Sequence, residues 1–200
     1  MKIILDTSNQ YLAVALYKEN QCLDKIQEYG SQRQSENAIP YLSKILEKNK
    51  VDLLDVDEVV ITRGPGSYTG VRVAMTIAKT LNVIQPIQLK AISSLKAYAG
   101  LNRCVSVIDA RSQKVFVCAY DNGKELCEEQ MIPIDEFSGF MKQYPDFEVV
   151  GQRSIVGKEN KEVDLIDNLY QLSLLEKDIE CIDALVPRYL KDIEVKKICL

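Results

Sequence analysis

The chain is 200 residues long, with 46% apolar and 27% charged residues, which are the proportions of an ordinary globular protein. Its formal net charge is -4 and its basic residues are scattered, which disfavours a protein that binds RNA on its own, because RNA-binding faces concentrate positive charge. The sequence contains no histidine and no C-x-x-C pair among its six cysteines, which excludes the usual zinc sites and the histidine-dependent catalytic sets.

The first half of the sequence predicts an antiparallel meander followed by helices and buried strands. Short β-rich stretches at 3–6, 11–17 and 22–29 are separated by short polar turns. A helix follows, with Ser35 as its expected N-cap and Pro40 bending its start. The next predicted elements are a strand at 59–62, a glycine-rich loop at 64–70, a helix at 71–83, a strand at 87–89 and a helix at 93–100.

The second half repeats this order in outline. The predicted elements are a hairpin at 105–109 and 114–120, a turn at Asn122-Gly123, a strand at 125–132, a helix at 135–142, a strand at 147–150 and a helix at 165–175. Each half thus has an aspartate at the first turn of its meander, Asp6 and Asp109. The pattern predicts an α/β fold of two lobes, residues 1–100 and 101–200, and leaves open that the C-terminal segment returns to the first lobe.

The most distinctive segment is the loop Thr62-Arg63-Gly64-Pro65-Gly66-Ser67-Tyr68-Thr69-Gly70, between a predicted strand and a predicted helix. A glycine-rich loop at a helix N-terminus can bind an anion through free N–H groups. However, the segment lacks the G-K-[ST] of a P-loop and the spacing of the dinucleotide fingerprint. Two interpretations stay open: a phosphate site that includes Gly64 and Gly66, and a tight loop that only caps the helix.

The helix after this loop carries a smooth face of small residues, Gly70, Ala74 and Ala78, spaced one turn apart. Small residues let two helices approach closely. This face therefore predicts either packing against another helix of the same chain or a contact between subunits. Tyr68, raised on the glycine loop, suits an interface.

The turn Asp6-Thr7-Ser8 lies between the first two predicted strands. Side chains of these types commonly bond the backbone of their own turn, and this structural role is one interpretation. In the other, Asp6 lies near a cation while the Thr7 and Ser8 hydroxyls donate to a phosphate. Asp109 presents the same choice in the second half, which raises the hypothesis of a small ATP-binding phosphotransferase.

Several motifs, in order along nearly the whole chain, resemble the TsaB (YeaZ) family of the actin/Hsp70/sugar-kinase superfamily. They are Ile4-Leu5-Asp6-Thr7-Ser8, Gln34-Ser35-Glu36, Gly64-Pro65-Gly66-Ser67-Tyr68-Thr69-Gly70-Val71-Arg72, Ile92-Ser93-Ser94-Leu95, Asp109-Ala110-Arg111 and Pro187-Arg188-Tyr189-Leu190. The resemblance implies a two-lobed actin/Hsp70-like (ribonuclease H-like) fold with mixed sheets flanked by helices.

The resemblance also implies a function. Proteins of this family are non-catalytic partners of a TsaD-type catalytic subunit and, with a TsaE-type ATPase, support formation of threonylcarbamoyladenosine on tRNA next to the anticodon. It implies that the first lobe binds the partner, that the same surface closes a homodimer when the partner is absent, and that tRNA is met only through the complex. The implied contact residues are Ser67, Tyr68, Arg72, Met75, Ala78, Lys79, Ile39 and Leu42.

The chain departs from the family at two places. Gln34 stands where family members usually carry a histidine, so no role of that side chain is carried over. The stretch Ser94-Leu95-Lys96-Ala97-Tyr98 replaces the H-x-x-x-H metal pair of the catalytic relative, so neither a bound metal nor peptidase activity is expected.

These observations together favour a non-catalytic protein over the phosphotransferase alternative. Asp6, Thr7, Ser8, Gly64 and Gly66 are then a vestigial phosphate-binding set. We expect no required cofactor, and a nucleotide that binds weakly or at a subunit junction stays open. Because the chain has no apolar run of the roughly 20 residues that span a bilayer and no secretory signal at its start, we expect a cytoplasmic protein without a membrane contact.

Overall fold

The computed structural model describes residues 1–30 and 33–190, which form two sheets flanked by helices. The last ten residues of the predicted second lobe lie outside the described residues. The first sheet has the order β3-β2-β1-β4-β5. Its strands are β1 (Lys2–Asp6), β2 (Tyr11–Lys18), β3 (Gln21–Tyr29), β4 (Glu58–Thr62) and β5 (Gln88–Ile92).

The predicted meander is confirmed, because β1, β2 and β3 pair antiparallel in sequence order. Strands β4 and β5 are parallel to β1 and extend the sheet on its other side. The side chains of Ile3, Ile4 and Leu5 are all buried, because helices and the second sheet cover both faces of β1. Burial on both faces explains why β1 is a continuous apolar run rather than an alternating one.

Two long helices cover one face of this sheet, α1 (Gln34–Asn49) and α2 (Tyr68–Ile84). The N-cap of α1 is Arg33, and Ser35 lies inside the first turn, so the prediction that Ser35 caps this helix is wrong. Helix α2 begins three residues earlier than predicted, because Ser67 caps it: the Ser67 hydroxyl oxygen accepts a hydrogen bond from Gly70 N at 3.2 Å.

The short helix α3 (Ser94–Ala99) is confirmed, with Ser93 as its N-cap and Gly100 as its C-cap. The Ser93 hydroxyl accepts hydrogen bonds from the backbone N–H groups of the first turn. Helix α3 lies between the two sheets, where Leu95 and Ala97 are fully buried.

The second sheet has the order β10-β6-β7-β8, and β9 also pairs with β7. Its strands are β6 (Cys104–Arg111), β7 (Lys114–Asp121), β8 (Lys124–Glu125), β9 (Gln130–Pro133) and β10 (Glu148–Gly151). The hairpin of β6 and β7 is confirmed. The single strand predicted at 125–132 is wrong, because the chain leaves the sheet between β8 and β9, where Glu129 turns its side chain into the interior.

Two further helices complete the described fold. The helix predicted at 135–142 is a 3₁₀ turn, Ile134–Glu136, followed by the short helix α4 (Phe137–Met141). Helix α5 (Leu165–Ser173) confirms the last predicted helix. It packs with α3 in a core shared by the two sheets, whose members include Ile4, Ala13, Ile108, Phe116, Ile166 and Leu169.

The two-sheet α/β architecture confirms the predicted fold class. The exact lobe boundary near residue 100 stays a prediction. Within residues 1–30 and 33–190, no helix is both long enough and apolar enough to cross a membrane.

Candidate functional site: a polar cleft and an apolar groove

The glycine-rich loop packs directly on the Asp6-Thr7-Ser8 turn. A Cβ atom at Gly66 would lie 2.4 Å from the Ser8 carbonyl oxygen, and one at Gly70 would lie 2.0 Å from the Thr7 carbonyl oxygen. Both distances are far below van der Waals contact, so any larger residue would force the turn and the loop apart. The two segments can lie this close only because these positions are glycine.

Hydrogen bonds hold the same two segments together. Ser67 N donates to the Ser8 carbonyl oxygen at 2.7 Å, and the Thr7 hydroxyl donates to the Gly70 carbonyl oxygen at 2.6 Å. The N-terminus of α2 is thereby fixed against the end of β1. Its position depends on a turn that lies more than fifty residues earlier in the sequence.

The polar atoms of the Asp6-Thr7-Ser8 turn find their partners inside the protein. The Asp6 carboxylate accepts hydrogen bonds from Ser8 N at 2.9 Å and from the Thr62 hydroxyl. The hydroxyl oxygens of Ser8 and Ser94 lie 3.0 Å apart. Burial raises the pKa of Asp6 above its ordinary value, against the lowering effect of these hydrogen bonds. A phosphate bound at this turn would have to replace these bonds.

A polar cleft of about 500 Å³ opens beside the turn, between the two sheets. Besides the β1–β2 turn, its walls include the glycine loop with Tyr68, the end of β6 with Asp109 and Arg111, and the segment of Arg188 and Tyr189. The lining carries charges of both signs.

Asp109, the acidic residue among the described residues of the cleft lining, is already engaged. The Asp109 carboxylate accepts a hydrogen bond from Arg111 N at 2.7 Å and lies 3.4 Å from the Arg111 guanidinium. Its own backbone N–H donates to Gln152 Oε1 at 2.7 Å. Among the described residues, no group of three or more His, Cys, Asp or Glu side chains is placed to hold a metal ion.

The small-residue face of α2 packs inside the chain, on the first sheet. Ala74, Met75 and Ala78 belong to the core beneath α1 and α2. Met75 is 4% exposed and Ala78 is fully buried. We therefore correct the predicted contact set, because neither side chain reaches the surface where a partner could touch it. The close packing predicted from small residues does occur within the chain, in a core that α2 shares with the first sheet and with α1.

The other predicted contact residues, apart from Leu42, lie at or near the surface. Tyr68 and Ile39 are 59% and 51% exposed, and Arg72 is exposed beside them. Ser67 lines the cleft, whereas Leu42 lies buried at the floor of a separate groove. Lys79 is half-buried, and its Nζ donates to the Asp183 carbonyl oxygen at 2.8 Å.

This separate groove runs between α1 and α2 and is mainly apolar. It has a volume of about 610 Å³, and its upper end continues to Tyr68 and Arg72. We call it the α1–α2 groove; its apolar lining residues are Ile39, Leu42, Leu46, Val51, Leu53, Val73, Ile77, Leu81 and Ile84. Sequence reasoning missed Val73, Ile77 and Ile84, although their spacing of four and seven residues marks a second apolar stripe on α2.

The chain matches known proteins over most of its length. The model of the family described as "TsaD: tRNA N6-adenosine threonylcarbamoyltransferase" matches residues 26–195. The curated "tRNA threonylcarbamoyladenosine biosynthesis protein TsaB" of Bacillus subtilis is 33% identical over 136 residues, which cover 66% of this chain and 59% of that protein. The chain carries a TsaD-type domain and belongs to the TsaB (YeaZ) family.

Other relatives agree with this family. The "Uncharacterized protein MG208 homolog" of Mycoplasma pneumoniae is 29% identical over 87% of this chain and 93% of its own length. The solved structure of "YeaZ from Pseudomonas aeruginosa" superposes with a TM-score of 0.72 over 94% of this chain and 99% of that one, at 21% identity. At that identity the superposition establishes a shared fold.

The position that departs from the TsaB pattern has a clear contact in this chain. Gln34 is the first residue of α1, and its side-chain amide donates to the Asn9 carbonyl oxygen. The contact ties the start of α1 to the turn between β1 and β2. Glutamine at this position therefore links α1 to the same turn that carries Thr7 and Ser8.

Proposed function

We propose that this chain is a non-catalytic subunit in the formation of threonylcarbamoyladenosine on tRNA, next to the anticodon, and that it binds and supports a TsaD-type catalytic subunit. The names of its TsaB relatives support the pathway, although the alignment spans only 59% of the Bacillus subtilis protein. The exposed apolar α1–α2 groove is the observation that carries the binding role.

The groove has the character of a protein-binding surface. Ile39 and Ile84 are each more than half exposed, and Ile77 lies between them. Singly exposed apolar side chains are common on monomers, but a contiguous apolar groove with a polar rim marks a site of association. The aromatic Tyr68 and the guanidinium of Arg72 lie at its end, and these residue types are enriched at the centres of interfaces.

The absence of obvious catalytic groups supports a non-catalytic role. The sequence contains no histidine, so a general base would have to come from another side chain. Asp6 is buried and Asp109 is paired with Arg111. The phosphotransferase alternative would need the Thr7 and Ser8 hydroxyls to face a phosphate, and both are fully buried in bonds to neighbouring segments.

The remaining partners follow from the same proposal. A TsaE-type ATPase joins the complex, and the chain contacts tRNA only as part of that complex. The free chain uses the α1–α2 groove to form a homodimer. Any nucleotide binds weakly in the cleft or at the subunit junction. The site of action is the cytoplasm.

Size-exclusion chromatography with light scattering tests the proposal, on the chain alone and mixed with a TsaD-type subunit from the same organism. We expect a stable mixed complex that Ile77→Glu weakens by about 30-fold or more, because the variant places an unpaired charge in an apolar contact. Val83→Glu is the matched control, because Val83 lies on α2, is 81% exposed and does not line the groove.

The possible outcomes test the binding surface and the subunit role separately. Equal weakening by both substitutions would contradict the groove as the binding surface. No complex with a well-folded catalytic subunit would contradict the subunit role itself.

A further inference from the structure

After α5 the chain crosses back over the first sheet without regular secondary structure. Residues 176–190, which we call the strap, run along the edge strand β5, where Ile179 N donates to the Leu89 carbonyl oxygen at 2.8 Å. Leu185 is buried in the core beneath α2. The carbonyl oxygen of Asp183 accepts the hydrogen bond from Lys79 on α2. The strap is thus packed against the elements of the proposed partner-binding lobe.

Arg188 ties the end of the strap to both sheets. Its backbone N–H donates to the Arg63 carbonyl oxygen at 2.7 Å, just before the glycine loop. Its guanidinium lies 3.2 Å from the carboxylate of Glu129, which belongs to the second sheet's side and is fully buried. Glu129 also accepts hydrogen bonds from Tyr120 and Ser93. A charge pair with one buried member has a restricted geometry, so it restricts the position of Arg188.

The next residue, Tyr189, meets the exposed end of α2. Its ring stacks on Tyr68 with 5.8 Å between centroids and 23° between planes. The Arg72 guanidinium lies 3.8 Å from the centre of the Tyr68 ring, and Arg72 Nε donates to the Tyr189 hydroxyl at 3.0 Å. This trio lies at the end of the α1–α2 groove, because Tyr68 and Arg72 both line it.

We propose that the strap positions Tyr68 and Arg72 for the partner, with Arg188 and Tyr189 as the positioning residues. The identity of the partner rests on the proposed function, but the coupling itself is a property of the isolated chain. Through Arg188 and Glu129, the strap makes the shape of the partner-binding surface depend on the second sheet, which lies outside the α1–α2 groove.

The physical basis is preorganisation. Tyr68 and Arg72 are exposed, and an exposed side chain normally loses rotamer freedom when a partner binds. Stacking and the hydrogen bond from Arg72 to Tyr189 restrict both side chains in advance, so less freedom is lost on binding. Releasing two side chains of this kind is expected to weaken binding by about 5- to 30-fold.

The coupling is testable without any partner, at a protein concentration where light scattering shows the monomer. Because the chain contains no tryptophan, Tyr68→Trp places a single tryptophan at the trio, and its emission can be excited separately from that of the tyrosines. We expect its steady-state anisotropy to fall when Tyr189→Ala is added and to stay high with Tyr189→Phe, which keeps the ring. Val186→Ala is the control within the strap, because Val186 is 70% exposed and lines neither the cleft nor the groove. An anisotropy that Tyr189→Ala leaves unchanged would overturn the proposal.

A double-mutant cycle on the natural Tyr68 background then separates positioning from direct contact. Tyr189→Ala is expected to lower affinity for the TsaD-type subunit by about 5- to 30-fold, with Tyr189→Phe restoring most of it. In an Arg72→Ala background, the effect of Tyr189→Ala should become smaller, because the part that acts through Arg72 is already lost and only the part that acts through the Tyr68 ring remains. Fully additive effects would mean that Tyr189 does not act through Arg72 and would overturn its positioning role for that side chain.

The same experiments keep the two proposals apart. If the wild-type chain forms no complex, the proposed function fails while the anisotropy measurement still decides the coupling. If Ile77→Glu prevents the complex but Tyr189→Ala binds as wild type does, the proposed function stands and the strap proposal fails.

Discussion

Gly70→Ala is the substitution whose effect the structure predicts most directly. In an ordinary helix this change stabilises the fold by up to about 1 kcal/mol, because alanine is the better helix former. Here the new Cβ would lie 2.0 Å from the Thr7 carbonyl oxygen and 3.0 Å from its carbonyl carbon. The obstacle is backbone rather than a flexible side-chain end, so the start of α2 must move away from the end of β1.

The expected loss follows from two contributions. Forcing apart two closely packed segments costs about 1–3 kcal/mol. Separation also stretches the hydrogen bond from Thr7 to the Gly70 carbonyl oxygen, which contributes about 1 kcal/mol. After subtracting the helix propensity gained, Gly70→Ala should lower the free energy of unfolding by roughly 1–3 kcal/mol. The midpoint of thermal unfolding should fall by about 2–12 °C in a chain of this size.

Gly139→Ala is the matched control, because Gly139 lies inside α4 and its Cβ would meet no atom within 4 Å. It should leave stability unchanged or raise it by up to about 1 kcal/mol. Equilibrium urea unfolding, followed by circular dichroism, compares the unfolding midpoints of the two variants, which report stability when the dependence of the free energy on urea is the same for both. If Gly70→Ala unfolded at the same urea concentration as Gly139→Ala, the close approach of α2 to the Asp6-Thr7-Ser8 turn would be refuted.

Three further substitutions test the interior. Burial raises the pKa of Asp6 above its ordinary value of 3.8, so the free energy of unfolding should fall as the pH rises and Asp6 ionises. Asp6→Asn should remove this pH dependence, measured by urea unfolding between about pH 4 and 7. Ala78→Tyr should cost about 3 kcal/mol or more and lower the thermal midpoint, whereas Val83→Tyr on the exposed side should change stability by less than about 0.5 kcal/mol. Glu129→Gln leaves Arg188 without its anionic partner and should lower the free energy of urea unfolding by about 2 kcal/mol. The loss is smaller than for a fully buried pair, because Arg188 is partly exposed to water.

Most strands and helices could be predicted from the sequence because their signals are local. The β1–β2–β3 meander follows from β-rich stretches separated by polar turns, and Asn122-Gly123 marks the turn after β7. The break between β8 and β9 could not be predicted in the same way. It depends on Glu129 turning inward to Ser93, Tyr120 and Arg188, and these partners lie far along the chain from one another.

The candidate site shows the same limit more sharply. The spacing of Gly70, Ala74 and Ala78 identified a face made for close packing, but periodicity alone does not distinguish a strand, a helix or another subunit as the neighbour. The neighbours are the first sheet and α1, so Met75 and Ala78 are buried, and the apolar residues of α2 that line the groove lie on a different stripe of the helix. That second stripe, with Val73 and Ile77, could have been read from the sequence as an apolar face left without a partner.

The three glycines of the loop explain the motif without a ligand. A Cβ atom at Gly64, Gly66 or Gly70 would lie within 3 Å of a backbone carbonyl oxygen, that of Arg188, Ser8 and Thr7 respectively. The loop is therefore the junction where the β1 turn, the start of α2 and the strap meet. A glycine-rich loop at this junction sets the position of Tyr68 on the surface and of Arg188 in the strap. The close approach of these segments is a sufficient structural reason for the spacing of the three glycines.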